Sequence, residues 1–269
     1  MQDTTPTPSA TAHSDIFVGS GEMAELMRAH DWAATPLGPP ESWPQSLKVA
    51  LRILLTSRFE MWLGWGPDIH FFYNDAYRPT LGVKHPASLA RPTRELWAEI
   101  WSDIQGRIEA VYERGESTWD RALLLILERS GYPEETYHTF SYSPLIGDCG
   151  KVEGLFCAVS EDTDRVISER RLATLGRLAR ALAAVDTRSA VLEATRSVLA
   201  EATRDLTFSL AYLCEPDGEA KLAFAAGVPA DATLSATARA AERWQVHCPQ
   251  AAAGAHVGRL AGFGEGRHQ

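Results

Sequence analysis

Two stretches of the sequence imitate known catalytic motifs, and the first is a dinucleotide-binding pattern. Residues 19–24 (GSGEMA) follow an apolar triplet and read as G-x-G-x-x-A. That pattern serves a nucleotide only where a parallel strand with an acidic end follows about 20 residues on. This chain continues instead into a proline-rich run at 36–40 (PLGPP). We therefore interpret the stretch as the start of a short helix over 22–29, begun by Ser20 or Gly21.

The second imitation is a phospho-accepting histidine. Residues 30–37 (HDWAATPL) approximate the box His-acid-x-x-Thr-Pro-Leu, but one residue too many separates His30 from the Thr-Pro pair. Because an insertion rotates the later residues off the catalytic face of a helix, we expect no phosphorylation of His30.

No other stretch carries a pattern for catalysis or metal binding. The sequence lacks G-x-x-x-x-G-K-[ST], H-E-x-x-H and G-x-S-x-G. Histidines 70 and 138 fall on predicted strands and His85 in a predicted loop, which favours hydrogen-bonded or surface roles over metal ligation. The cysteines show no C-x-x-C spacing and predict neither a disulfide nor a zinc site; they are Cys149, Cys157, Cys214 and Cys248. We expect no enzymatic activity and no metal.

The composition is that of a globular protein with about two domains. The chain has 269 residues, 45% of them hydrophobic, and a formal charge of −9. Without a basic stripe, this charge argues against a nucleic-acid surface. The N-terminus has no signal-peptide pattern, and the longest purely apolar run, 122–127, is far shorter than the ~20 residues of a membrane helix. The prediction is a cytoplasmic protein without a membrane partner.

The strongest local pattern is a strand, a turn, a second strand and a short helix. Residues 59–65 are rich in aromatic and branched side chains, 66–68 (GPD) favour a turn, and the apolar run 69–73 folds back as a hairpin. Asn74 then supplies a side-chain oxygen suited to cap a helix from Ala76 to about Gly82.

Further elements follow from periodicity. Residues 43–55 have the apolar spacing of an amphipathic helix, and a long helix with one apolar face begins at Trp97 and ends before Gly115. Three more strands are predicted, at 118–128, 136–143 and 152–160.

Several segments, taken together, resemble the PAS sensor domains at the head of bacterial hybrid histidine kinases. These segments are DWAATPLGPPESWP (31–44), SRFEMWLGWG (57–66), FYNDAYRPTLGVKHP (72–86), ELWAEIW (95–101) and ETYHTFSYSPLIGDCGKVEGLFCAVSEDT (135–163). The resemblance implies an α+β PAS fold over 19–165, with a five-stranded antiparallel sheet and helices on one face.

In this family small molecules bind between the sheet and the helices. Aromatic residues that could line such a pocket are Trp62, Trp65, Tyr73, Tyr77, Trp97, Trp101 and Tyr142. The alternative is that they simply fill the core. The cofactor stays unknown. LOV-type flavin chemistry needs a cysteine, but none precedes Cys149, and haem-binding PAS domains use a histidine on the long helix, which here has none.

The end of the predicted sensor domain resembles a signal-transfer segment. Asp162 and Thr163 are similar to the acidic-hydroxyl ending that anchors the output helix of PAS domains, and they are assigned to signal relay. Residues 166–186 carry leucines at near coiled-coil spacing, which predicts a signalling helix and a parallel homodimer. Residues 187–248 resemble the incomplete start of a GAF domain, with strands at 208–214 and 222–226. The polar segment 1–18 and the Ala/Gly-rich segment 249–269 are predicted to be disordered.

The predicted function is that of a sensory input module of a two-component histidine kinase, detecting a small molecule or partner and relaying the signal through a dimeric helix. A kinase catalytic domain needs an asparagine in its ATP box, and Asn74 is the only asparagine. The kinase domain would therefore lie elsewhere in a full-length protein. Three alternatives stay open: the input module of a diguanylate cyclase or phosphatase, a ligand-free dimerisation scaffold, and a small-molecule enzyme using Tyr77 or Tyr142.

Overall fold

The computed structural model describes residues 16–214, 219–228 and 237–239. Contacts divide the chain into two compact units, one ending at Val166 and the other beginning at Ile167. Within the described ranges, no helix combines the length and the apolar character needed to cross a bilayer. The predicted tail 249–269 and most of the predicted N-terminal segment lie outside the described residues.

The first unit is built on a five-stranded antiparallel sheet, as predicted. Its strands are β1 (Glu60–Trp65), β2 (His70–Tyr73), β3 (Thr118–Leu127), β4 (Glu134–Ile146) and β5 (Val152–Glu161). Their order across the sheet is β2-β1-β5-β4-β3. The first and last strands of the unit therefore pair in its interior, which is the arrangement expected of a PAS domain.

The described residues of this unit also form five α-helices: α1 (Glu22–Ala29), α2 (Gln45–Thr56), α3 (Arg78–Leu81), α4 (Thr93–Leu96) and α5 (Trp101–Arg114). The predicted helix after Asn74 is a 3₁₀ turn followed by α3, which ends at Gly82 in the left-handed region (φ +53°). The long helix predicted from Trp97 begins later, because the Trp97 backbone (φ −111°, ψ 37°) is not helical; a 3₁₀ turn (Ala98–Ile100) follows, and α5 begins at Trp101.

Strand alternation gives the sheet two faces. On one, which we call the cap face, Leu63 lies opposite Phe72 and Phe156. On the other, the cavity face, Trp62 lies opposite Tyr73 and Cys157. Helices α3 to α5 form the one-sided layer that the resemblance implied, and they lie on the cavity face. The segment containing α1 and α2 adds a second cover on the cap face.

Four aromatic rings fill the space between the cap face and its cover. Trp32 stacks on Phe72 with ring centroids 5.2 Å apart and on Phe17 at 5.9 Å, while Trp43 meets Trp32 edge-on at 4.9 Å. The predicted disordered segment 1–18 included Phe17, but Ile16 and Phe17 are both buried. The packed unit therefore begins by Ile16, because these two apolar residues complete its aromatic core.

Loops of the sheet cap both N-terminal helices. The carboxylate of Asp75 accepts a hydrogen bond from the Met23 backbone N–H at 3.1 Å, at the start of α1. Gly21 precedes α1, as predicted, and a Cβ there would lie 2.1 Å from the Asp75 carboxylate, so a larger residue would displace this capping group. Asp148, in the β4–β5 turn, accepts from the backbone N–H groups of the first two residues of α2 at 2.8 and 2.9 Å.

Helix α6 (Thr163–Ala183) spans the boundary between the units, at the place predicted for the signalling helix. The second unit continues with α7 (Arg188–Glu201), capped by the Thr187 hydroxyl, and with antiparallel strands β6 (Ser209–Cys214), β7 (Glu219–Ala226) and β8 (Thr237–Arg239). The two predicted strands correspond to β6 and β7. The GAF identity of this unit stays a prediction.

Candidate functional site

A cavity of about 30 Å³ lies between the cavity face and its helices. Four of the predicted pocket residues line it: Trp62 on β1, Tyr77 in the 3₁₀ turn, Trp97 after α4, and Tyr142 on β4. The volume is room for about two water molecules. The sequence left open whether the aromatic residues line a pocket or fill the core. In the structure these four form part of the core and also line a small void within it.

Three predicted pocket residues lie away from this cavity. Trp65 is three residues from Trp62, so strand alternation turns it to the cap face. Tyr73 is on the cavity face, but its hydroxyl lies 2.8 Å from His85 Nδ1 instead of in the void. Trp101 is a half-buried residue at the start of α5.

Nine further residues line the cavity and were not predicted from the sequence. Three are polar or sulfur-bearing: Thr80, His138 and Cys157. Six are apolar: Ile100, Ile104, Leu125, Leu127, Phe140 and Val159. The signal for several of them was present, because 138, 140 and 142 share one face of a strand, and 157 and 159 share one face of the next.

Most polar groups of the lining already have partners. The indole of Trp62 hydrogen-bonds the sulfur of Cys157, and His138 Nε2 lies 3.1 Å from the Thr136 hydroxyl. That hydroxyl donates to the Leu125 carbonyl, so Nε2 carries the proton and donates. Burial lowers the pKa of His138 to about 4, since it disfavours the imidazolium cation. The ring is therefore neutral at pH 7.

Two tyrosine hydroxyls in the lining differ from these groups. Within the described residues, neither Tyr77 Oη nor Tyr142 Oη has a hydrogen-bond partner in the protein, although both side chains are at least nine-tenths buried. Burial raises the pKa of both phenols well above the usual value, and each is also raised by nearby Cys157. The cavity is therefore provided with two protonated donors.

Trp97 is held against the cavity from outside by Lys84. The ammonium lies 4.4 Å from the centroid of the indole ring, in a cation–π contact. It also donates to the Leu96 carbonyl at 2.9 Å and forms an ion pair with Glu99. Lys84 therefore fixes the position of Trp97 by contacting its ring and residues before and after it in the sequence.

The residues assigned to signal relay lie where β5 passes into α6. The Asp162 carboxylate accepts from the Thr139 hydroxyl at 2.5 Å and from Arg165 at 3.0 Å. The Asp162 backbone N–H donates to the Tyr137 carbonyl at 2.7 Å, and the Thr163 hydroxyl accepts from the Tyr137 N–H at 3.0 Å. Two residues of β4, Tyr137 and Thr139, thus bind Asp162 and Thr163 where α6 begins.

Asn74 connects the start of β1 to the turn that carries Tyr77. Its Oδ1 accepts from the backbone N–H groups of Tyr77 and Met61, both at 3.2 Å. Its Nδ2 donates to the carbonyls of Ser57 and Phe59 at 3.2 and 2.7 Å. The predicted capping role is confirmed, and the side chain also makes three further hydrogen bonds that the sequence did not indicate.

His70 and His85 are also hydrogen-bonded. His70 Nδ1 lies 2.8 Å from the Ala90 carbonyl, and His85 Nε2 lies 2.8 Å from the Glu22 carboxylate. Among the described residues, no cluster of three or more His, Cys, Asp or Glu side chains has a geometry that could hold a metal ion.

No family model and no curated protein sequence matches this chain. Solved structures of sensor domains are similar to it. An RNA-binding light-oxygen-voltage receptor is 22% identical over 55% of this chain, with a TM-score of 0.37. A sensory box sensor histidine kinase from Vibrio cholerae is 14% identical over 43% of this chain and 87% of its own, with a TM-score of 0.31. The PAS domain of BvgS from Bordetella pertussis is 18% identical over 46% and 92%, with a TM-score of 0.31.

The matched part of this chain spans 42% of the light-oxygen-voltage receptor. At these identities and TM-scores the likenesses carry no argument about function. The sheet order and the strand pairings observed in this chain establish the fold. The first unit has the PAS fold, a five-stranded antiparallel sheet with helices.

Proposed function

We propose that this chain is a sensory input module of a two-component histidine kinase. A small molecule or partner acts on the cavity face, and the response leaves through α6 in a homodimer. The kinase domain belongs to the remainder of a full-length protein, and this chain itself catalyses no reaction.

The observation that carries the proposal is the two-sided use of β4. His138, Phe140 and Tyr142 project from one side of the strand into the cavity lining. Thr139, between the first two of these, projects to the opposite side and binds Asp162, while the backbone of Tyr137 binds Asp162 and Thr163 where α6 begins. A shift of this strand that accommodates a ligand therefore changes the hydrogen bonds of the output helix without any intermediate element.

The signal requires two packings of the unit and a ligand that binds one of them better. A ligand pressing on Tyr142 favours an outward position of β4. The 2.5 Å hydrogen bond between Thr139 and Asp162 is the first contact that this displacement strains. The coupling is bounded by the ligand's differential affinity, typically about 1–3 kcal/mol.

Native mass spectrometry of the full chain purified from cells tests this function. The expected result is a dimer that retains a small molecule and loses it when the cavity is filled by Val159→Ile. Thr139→Val is the relay variant. It should keep the bound molecule but remove the ligand-dependent change in amide exchange at the start of α6. Ligand-dependent exchange that persists in Thr139→Val would contradict the relay.

The dimer has its own test on α6. Leu172 and Leu175 expose 66% and 61% of their surface, and Leu178 continues the same seam. Leu178→Glu places a charge in that seam and should give monomers in sedimentation velocity. Arg180→Glu, off the seam on the same helix, is the matched control and should stay dimeric. A dimer in both variants would refute the seam.

One observation favours a second candidate, a PAS scaffold that dimerises without a ligand. The cavity of about 30 Å³ is too small for most metabolites. If the purified dimer contains no small molecule and its amide exchange does not change with any added compound, the scaffold is the better description.

A further inference from the structure

We infer that the cavity selects an uncharged hydrogen-bond acceptor of about two to three non-hydrogen atoms, held by the hydroxyls of Tyr77 and Tyr142. Water also fits this description, so a sensed molecule must compete with water by offering the same hydrogen bonds. The inference rests on the proposed function, because it takes the cavity to be the sensing site.

Size sets the first limit. The void of about 30 Å³ is enclosed by side chains that are nearly all buried, including Trp62, Trp97 and Cys157. Protein interiors of this density do not yield to a larger ring without rotamer changes. A flavin, a haem or an aromatic metabolite would need the whole helical layer to move.

Hydrogen bonding sets the second limit. Leaving a buried hydroxyl without a partner costs about 1–3 kcal/mol, and Tyr77 and Tyr142 both lack a partner within the described part of the chain. An acceptor between them recovers this cost, whereas an apolar gas does not. Because burial keeps both phenols protonated, they act as donors, and a ligand that offers acceptors complements them.

Charge sets the third limit. The lining contains no Lys, Arg, Asp or Glu, and its only histidine is neutral at pH 7. An ion in this site would lose its hydration and gain no counter-ion, which costs far more than two neutral hydrogen bonds return. Small anions and ammonium-type cations are therefore excluded.

Methyl NMR titration of the full chain with four probes tests the inference. Formamide is small and neutral and has a hydrogen-bond acceptor. Formate differs from it by its charge, and xenon has no hydrogen-bond acceptor. N,N-dimethylformamide keeps the neutral acceptor but is a larger molecule. Formamide should shift the cavity methyl groups of Ile100, Ile104 and Val159, and the other three should bind at least about tenfold more weakly. Tyr142→Phe should weaken formamide about three- to tenfold, the value of one hydrogen bond.

The matched control is Tyr112→Phe, because that buried hydroxyl bonds the Gly64 and Gly66 carbonyls outside the cavity and its loss should leave formamide affinity unchanged. Should Tyr142→Phe fold poorly, Tyr77→Phe gives the same reading. Equal or tighter binding of xenon, formate or dimethylformamide overturns the inference, and so does the absence of any cavity shift. Selective formamide binding that leaves the amides of Asp162 and Thr163 unmoved overturns the proposed relay alone.

Discussion

Both faces of the sheet carry aromatic side chains, but the two faces differ in packing and in how their polar groups are hydrogen-bonded. On the cap face the indole N–H groups of Trp32 and Trp43 are satisfied, by the Met27 carbonyl at 2.7 Å and the Leu37 carbonyl at 2.9 Å, and the rings meet in stacked and edge-on pairs. On the cavity face, two phenols lack partners among the described residues and a void remains. We therefore expect the cap face to contribute more to stability than the cavity face.

The largest effect should follow from breaking the cap face. Trp32→Ala removes a 98%-buried ring that contacts Phe17, Trp43 and Phe72. We expect the free energy of unfolding to fall by about 3–5 kcal/mol in urea denaturation. Trp119→Ala, at a site with 65% exposure, is the control and should change stability by no more than about 0.5 kcal/mol. A Trp32 effect below about 1.5 kcal/mol would show that the cap face is not the stabilising one.

Next in size is the side chain that fixes the edge of the cavity face. Asn74→Ala removes four hydrogen bonds of a buried side chain, to the Met61 and Tyr77 N–H groups and to the Ser57 and Phe59 carbonyls; the Tyr77 N–H keeps its bond to the Asn74 backbone carbonyl. A loss of about 2–4 kcal/mol is expected from the loss of this set of hydrogen bonds. The neighbouring Ser57→Ala removes one exposed hydrogen bond and should cost about 0.5–1 kcal/mol. Similar losses in the two variants would contradict the anchoring role.

A pair of insertions compares the packing of the faces directly. Ala50→Val enlarges a buried side chain of α2, in the cover of the cap face, and should cost about 1–3 kcal/mol through overpacking. Val159→Ile points one added methylene into the cavity and should be neutral or raise stability by about 0.5 kcal/mol. Equal costs in chemical denaturation would mean that the cavity is not available space.

The smallest effect concerns the pH dependence of the cover. Hydrogen bonds from the Ser46 and Gln45 backbone N–H groups lower the pKa of Asp148. Its stabilisation is complete above the pKa of the unfolded carboxyl, ~3.9, and is lost as pH falls through the lower folded value. Asp148→Ala should therefore reduce stability at pH 6, and the difference from wild type should shrink as the pH falls towards 2. A difference between wild type and variant that stays constant over this range would rule out the cap.

Much of the fold could be predicted because it depends on local sequence patterns. The hairpin 59–73, the three later strands and the capping side chain of Asn74 all follow from residue type and period. The cover of the cap face could not, since Phe17 and Trp32 find Phe72 only through tertiary packing. The same holds for the capping of α2 by Asp148, which joins residues 102 and 103 positions apart.

The candidate site was predicted in part for a related reason. Aromatic type selected Trp62, Tyr77, Trp97 and Tyr142, which line the cavity, but also Trp65, which alternation places on the other face. Parity along β1 would have excluded Trp65, and parity along β4 would have added His138. The limits of the void depend on how helices and sheet close on each other, and no sequence period encodes that distance.

The arrangement of β4 limits how this strand can evolve. The side chain of Thr139 binds Asp162 ahead of the output helix, whereas the side chains of His138, Phe140 and Tyr142 form the cavity wall. Inserting or deleting one residue between 137 and 142 would exchange those roles for every residue beyond it. Substitutions can therefore alter either role separately. The length of the strand affects both roles at once, so we expect it to stay fixed.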